Sequence, residues 1–334
     1  MRYSALFLLL TALAAGQAPR VGVLDFYGLR KVPEAKVRQA LGVKEGDPLP
    51  PSKGDAEERI DSVPGVVESH LEAVCCDAGK MILYAGIEER GAPHFDLREP
   101  PEGEVRLSEE IASTYRLFLE SFEAAVRRGD TAEDLTSGHS LMADPASRAD
   151  QEMFIPLAKD HLKELGDVLR NSAGEDQRAV AAYVIGYTPV KKEVVDDLQY
   201  ALKDADAGVR SNAVRALMAL AVLARRDPDY GMKIEPTWFI EMLNSLSWSD
   251  RNQALKALQI LTDNRDASVL DQLRERALPS LVEMARWKTL SHALPAFVLL
   301  GRIAGLPDNQ VQGAWTRGDR ESVISAATAK RKTR

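Results

Sequence analysis

The chain has 334 residues, of which 45% are hydrophobic and 28% charged, and a formal net charge of −7. That length suits two or three domains, and the composition is that of a soluble globular protein rather than a disordered or fibrous one. The acidic balance argues against a nucleic-acid binder, which would show a basic face.

The first residues, "MRYSALFLLLTALAAGQAP", set a basic Arg2 before an apolar run from Ala5 to Ala15, then small residues to Gly16. This layout predicts a secretory signal peptide over residues 1–16, cut after Gly16. No cysteine stands at the cut, which argues against a lipoprotein anchor. No later apolar stretch approaches about 18 residues without charges or turn residues. The mature chain is therefore expected to lack a transmembrane segment and to be periplasmic or secreted, where thiols oxidise.

Residues 20–98 read as one α+β domain. Val21, Val23, Leu24 and Phe26 form a β-rich run closed by Gly28. Pro33 suits a helix start, and Val37, Ala40 and Leu41 recur on one helix face. Lys53 to Ser62 predicts a second helix, stopped by Pro64 and Gly65. Two strands follow, Val66–Cys76 and Lys80–Glu89, joined by a hairpin turn. The order is βααββ.

These elements carry a resemblance. In "DFYGLRKVPEAKVRQALGVKEGDPL", residues 25–49, the sequence Phe26, Gly28, Val32, Leu41, Gly46 and Asp47 resembles the POTRA pattern. "VPGVVES" at 63–69 is similar to the family's helix-to-strand junction, and "ILYAGIEERGAP" at 82–93 to its last strand and terminal acidic residue. POTRA modules occur in outer-membrane assembly proteins and in a bacterial cell-division protein. The resemblance implies a non-enzymatic module whose exposed sheet edge accepts a partner strand through main-chain hydrogen bonds. Val67, Ser69 and Leu71 on the penultimate strand are the candidate partner-binding residues. The family's usual companion, a membrane barrel or transmembrane helix, is not expected from this sequence, which argues against a direct role in outer-membrane protein insertion.

The only two cysteines, Cys75 and Cys76, stand side by side at the end of that strand. They are candidate redox residues. Neighbouring strand residues point to opposite faces, so one thiol is expected toward the helices and one toward solvent. Adjacent Cα atoms are about 3.8 Å apart, closer than the usual disulfide span of about 4.4–6.8 Å. A vicinal disulfide, two free thiols and an intermolecular bridge all stay open.

Residues 99–107, with Pro100 and Pro101, read as a linker, and 108–171 as a helical hairpin. Ile111, Tyr115, Phe118, Leu119, Phe122 and Val126 share one face of a helix that begins at Ser108 and ends at Gly129. A polar loop over 130–151 leads to a second helix from about Glu152 to Leu169. Self-similarity then appears: "RAVAAYVIGY" at 178–187, "RSNAVRALMA" at 210–219 and "RNQALKALQI" at 251–260. The pairs Ala181/Ile185, Ala213/Leu217, Ala254/Leu258 and Ala296/Leu300 repeat at unequal intervals. This resembles HEAT-like repeats and implies an α-solenoid over 172–318, whose stacked units share one core. In its clearest unit, "DADAGVRSNAVRALMALA" at 204–221, Asp206 is the expected helix cap. Residues 319–334, ending in "AKRKTR", read as a basic, solvated and disordered tail.

Chemistry is sparse. None of the five histidines (His70, His94, His139, His161, His292) pairs with another at metal-ligand spacing. No phosphate loop, nucleophile elbow or dinucleotide fingerprint occurs. No catalytic, cofactor-binding or metal residue is assigned, and no cofactor is expected. The exception to weigh is the 130–151 loop, where Asp134, His139 and Asp144 lie close together, since long loops are often functional. Trp238, Trp248 and Trp287 are candidate partner-binding aromatics, if they line one surface; packing between helices is the competing placement. The sequence thus predicts an α+β POTRA-like domain plus an all-α HEAT-like domain, in an exported, non-catalytic scaffold with protein partners and no nucleic acid. An accessory factor for outer-membrane protein biogenesis, and an enzyme or sensor using the 130–151 loop, are the alternatives. Oligomeric state is left open.

Overall fold

The computed structural model describes residues 19–77 and 79–329. The expected signal peptide and the last five residues of the basic tail lie outside the described residues. The chain is mixed α+β. It opens with β1 (Val21–Tyr27), α1 (Glu34–Leu41), α2 (Lys53–Asp61), β2 (Val66–Asp77) and β3 (Lys80–Glu89). Then come α3 (Glu109–Arg128), β4 (Glu133–Asp134), β5 (Leu141–Met142), α4 (Pro145–Asp160), α5 (Leu162–Asn171), α6 (Glu175–Ile185), α7 (Val195–Ala201) and α8 (Ala207–Arg226). The series ends with α9 (Thr237–Met242), α10 (Trp248–Leu261), α11 (Ala267–Ala285), α12 (Leu290–Ile303), α13 (Asp308–Thr316) and α14 (Arg320–Thr328).

The described chain divides into two compact units, one of residues 96–238 and one that joins 19–95 to 239–329. The expected solenoid, 172–318, is thus divided near 238, and its later helices group with the N-terminal sheet.

In the joined unit the strand order is β1-β3-β2, with β1 parallel and β2 antiparallel to the central β3. A parallel β1/β3 pair needs a long crossover, which α1 and α2 supply. On one face, Leu24, Leu71, Leu83, Ala85 and Ile87 pack with Val37, Leu41, Ala56 and Ile60 of the two helices. The other face does not meet solvent: Tyr27 and Tyr84 are buried against Trp248 and Trp287. Burial on both faces explains why Ile82 through Ile87 is one unbroken buried run rather than an alternation. Gly86 marks the closest approach, since a Cβ there would lie 2.2 Å from the Leu246 carbonyl oxygen.

The segment read as a tail is largely helix. Asp319 caps α14 by accepting from the Ser322 N–H, and Val323, Ile324 and Ala327 are buried. Their apolar spacing outweighs the basic composition that follows them.

In the 96–238 unit, the expected linker is a docked strap. Arg98 N–H donates to Lys203 O at 2.7 Å, its guanidinium lies 3.3 Å from the Tyr200 ring centroid, and Ala173 N–H donates to Gly103 O at 2.7 Å. The helix expected from Glu152 begins earlier, at Pro145, because Asp144 caps it by accepting from the Ser147 N–H. It breaks at His161, where α5 starts. Asp206 caps α8 as expected, accepting from the Val209 N–H. α8 is long and apolar enough to cross a membrane, but half of that stretch is buried inside the chain.

The Ala/Leu pairs of the sequence repeat are all buried: Ala181, Ile185, Ala213, Leu217, Ala254, Leu258, Ala296 and Leu300 have zero exposure. The repeated arginines share a task. Arg178 donates to the carbonyl of Ser172, Arg210 to that of Asp204 and Arg251 to that of Ser245, each six residues earlier. In each case the side chain at that earlier position also accepts the N–H two residues on, at Gly174, Asp206 and Ser247.

Candidate functional site

The outer edge of β2 is the feature nearest to the expected binding strand. β2 lies at the sheet margin because β3 occupies the centre. Its pairing with β3 is regular from Glu68 to Val74, so residues 69, 71 and 73 share one orientation of their main-chain groups. The Leu71 N–H points outward and is taken by the Glu57 carboxylate at 2.6 Å, while Ser69 Oγ donates to Glu57 O at 3.2 Å. A side chain of α2 thus closes the middle of the edge, a common way to blunt a strand margin. From Ala73 onward the strand runs past this cap, and Ala73, Cys75 and Cys76 are exposed. The ladder is irregular between Val74 and Asp77, and Cys75 and Cys76 within it are joined in a vicinal disulfide.

Of the three expected contact residues, only Val67 is exposed, at 51%. Ser69 and Leu71 are buried, Leu71 within the core beneath α1 and α2. Their side chains belong to the fold; a partner could use only main-chain groups there.

The opposite margin, along β1, is more fully occupied. The Leu24 N–H donates to Glu45 at 3.3 Å and the Gly28 N–H to Glu283 at 3.1 Å. Lys288 Nζ reaches Leu24 O at 2.9 Å and pairs with Glu45 at 2.6 Å. The Lys288 bond and burial act oppositely on these carboxyls: Glu45 is held low by Lys288, whereas burial pushes Asp25 up despite the Lys288 N–H. Next to Gly28, the Arg30, Lys31 and Val32 N–H groups converge on the Glu89 carboxylate at 2.6–3.0 Å. These donors hold its pKa below the usual range against the cost of burial.

The tryptophans do not form one surface. Trp248 and Trp287 are buried in a cluster with Tyr27, Tyr84 and His292. Trp248 stacks on Tyr84 with centroids 5.0 Å apart, and Tyr84 Oη lies 2.7 Å from His292 Nδ1. They cover the sheet, which is why they cannot serve as docking anchors. Trp238, 36% exposed, lies in the other unit with Lys203 Nζ 4.8 Å from its ring centroid.

The 130–151 loop has secondary structure of its own. It contains the β4/β5 hairpin and the first turns of α4. Asp134 binds the Thr136 N–H, and Asp144 binds Ser147 and Arg128, so both carboxyls are held low by bonds that shape the loop. His139 instead meets Lys191, a contact with no signal in the sequence because a lone lysine marks nothing locally. The same holds for Glu57, which looks like one more charge on a solvated helix face.

Comparison of the sequence with family models and with curated proteins gives no match.

Proposed function

We propose that the chain is an exported, non-catalytic interaction scaffold of the bacterial cell envelope. In this reading the βααββ segment is a POTRA-like module and the Arg/Ala/Leu helices are HEAT-like units, the helical units offering a second binding surface. The observation that carries it is the margin of β2 beyond Glu57, an exposed strand end at Ala73 to Cys76 in a sheet whose other margin is filled. Main-chain strand addition needs only such outward groups, with neighbouring side-chain pockets giving specificity. Glu72 supports the same reading, since by accepting from Ser247 and from the Ser249 N–H it fixes β2 against the start of α10.

Two substitutions with opposite effects test it. Ala73→Pro removes an outward N–H without touching the ladder to β3, a change edge strands tolerate. Glu57→Ala frees the Leu71 N–H and lengthens the open margin. Envelope extract is passed over the full mature protein, and captured proteins are quantified, with circular dichroism checking each fold. The reading expects capture to fall with Ala73→Pro and to rise or hold with Glu57→Ala. Equal capture by the native chain and a folded Ala73→Pro chain overturns it.

A further inference from the structure

Residues 130–143 lie across α6, α8 and the 3₁₀ turn Lys191–Val194. In this hairpin Glu133 pairs with Met142 and Asp134 with Leu141. Several contacts fasten it. Arg215 of α8 pairs with Glu133 and donates to Ser140 Oγ at 3.1 Å. Tyr187 Oη donates to Ser140 O at 2.7 Å, and Arg226 to Thr136 O at 3.1 Å. Gly138, at φ +74°, permits the close approach; a Cβ there would sit 2.6 Å from Leu223 and 3.4 Å from the Lys191 stem.

One fastening differs in kind. His139 Nδ1 lies 3.1 Å from Lys191 Nζ, and Lys191 also donates to Gly186 O at 2.8 Å. Lys191 is only 4% exposed. Two basic nitrogens therefore meet where Lys191 is buried and His139 half-buried, and among the described residues neither forms an ion pair with a carboxylate. The charges around them come from Asp134 on the hairpin, and from Arg148 and Glu152 on α4. Arg215 on α8 is spent on Glu133. A cavity of about 10 Å³ beside them, lined by His139, Tyr183, Tyr187 and Arg215 among others, has room for about one water and no counter-ion of any size.

We propose that the 130–143 hairpin is a proton-operated strap, held most firmly when His139 and Lys191 are both neutral, loosened by the first proton they take up and released when both are charged. Two cations about 3 Å apart in a poorly solvated site repel strongly. Burial holds Lys191 down to about 7. Burial, reinforced by the Lys191 charge, holds His139 down to about 4. When the hairpin lifts, both groups return toward their ordinary values of 10.5 and 6.5. The open form therefore binds more protons, and opening is favoured as pH falls. The histidine limb lies between pH 6.5 and 4, the lysine limb between 10.5 and 7. Each proton taken up raises the opening constant toward tenfold per pH unit.

Amide hydrogen exchange of the full chain tests this, read by mass spectrometry and corrected for the intrinsic pH dependence of exchange. Peptides covering 130–143 are compared with peptides from α8. Between pH 6 and 4.5 the hairpin of the native chain should lose protection by close to tenfold per unit, while α8 holds. Asp134 and Asp144, held low, contribute little in that range. His139→Gln keeps an acceptor for Lys191 and should abolish this limb. Lys191→Met should remove the separate rise in protection between pH 7 and 8.5. Flat hairpin protection in the native chain, or limbs that survive in the two variants, would overturn the proposal.

Discussion

At the scale of single residues, Glu89 shows how one carboxylate organises a turn. Its two oxygens receive the N–H groups of Arg30, Lys31 and Val32, just ahead of α1. Glu89 is buried, so no water replaces these bonds if the side chain is lost. Leaving such donors without acceptors costs about 1–3 kcal/mol for each fully buried group, less where the loop relaxes. Glu89→Ala is expected to destabilise the protein by about 3 kcal/mol in urea unfolding. Glu89→Gln, which keeps one acceptor oxygen, should lose less. The pH effect has a definite sign. The folded pKa lies below the ordinary 4.5, so the carboxylate's contribution is complete above that value and fades as pH falls through the folded one. The Glu89→Ala chain should therefore approach the native one in stability under acid conditions. A deficit as large at pH 3 as at pH 7 would show that packing, not charge, is what Glu89 provides.

At the scale of elements, the three repeated arginines turn a sequence rhythm into a structural joint. Each reaches back to the carbonyl six residues earlier, so each helix is tied to the turn that introduces it. Arg178 goes further, forking both of its other nitrogens onto Asp204 at 2.8 Å in a buried pair. Removing one partner of a buried pair leaves an uncompensated charge and costs about 3–5 kcal/mol. Arg178→Met is expected to lose that much, and Arg178→Lys should recover little, because an ammonium cannot make the planar fork. The double change with Asp204→Asn should lose less than Arg178→Met alone, measured by chemical denaturation. The Ala/Leu phase and the arginine positions were legible in the sequence because both recur. The βααββ order was legible from turn residues and strand runs. The carboxylate caps were not, since Glu57, Glu45 and Glu283 act on main-chain groups far away in sequence, and nothing in their neighbours signals it. The vicinal cysteines were located correctly, but spacing alone left their bonding state open.

At the scale of the molecule, the central feature is what lies on the second face of the sheet. The sequence predicts a domain over residues 20–98 with an exposed sheet edge and leaves open how it joins the helices that follow. The run Ile82-Leu83-Tyr84-Ala85-Gly86-Ile87 has no polar alternation, the mark of a strand covered on both sides, and its second cover comes from residues more than 150 positions later. Tyr27 donates to Leu246 O at 2.8 Å, and Glu72 accepts from Ser247 and from the Ser249 N–H at the start of α10. Lys288 meets Asp25, Leu24 and Glu45 on the β1 side. A fragment of residues 19–95 would uncover Tyr27, Ile82 and Tyr84, a contiguous apolar patch that isolated domains rarely carry. Such a fragment is expected to bind an apolar dye and to associate at micromolar concentration. Mixing it with a fragment of residues 239–329 should suppress dye binding and give a one-to-one complex in analytical ultracentrifugation. The tryptophans provide an independent reading, because Trp248 and Trp287 in the second fragment should shift their emission to shorter wavelength as Tyr84 covers them. A monomeric 19–95 fragment with a cooperative unfolding transition and no affinity for 239–329 would instead make the N-terminal segment a separate module.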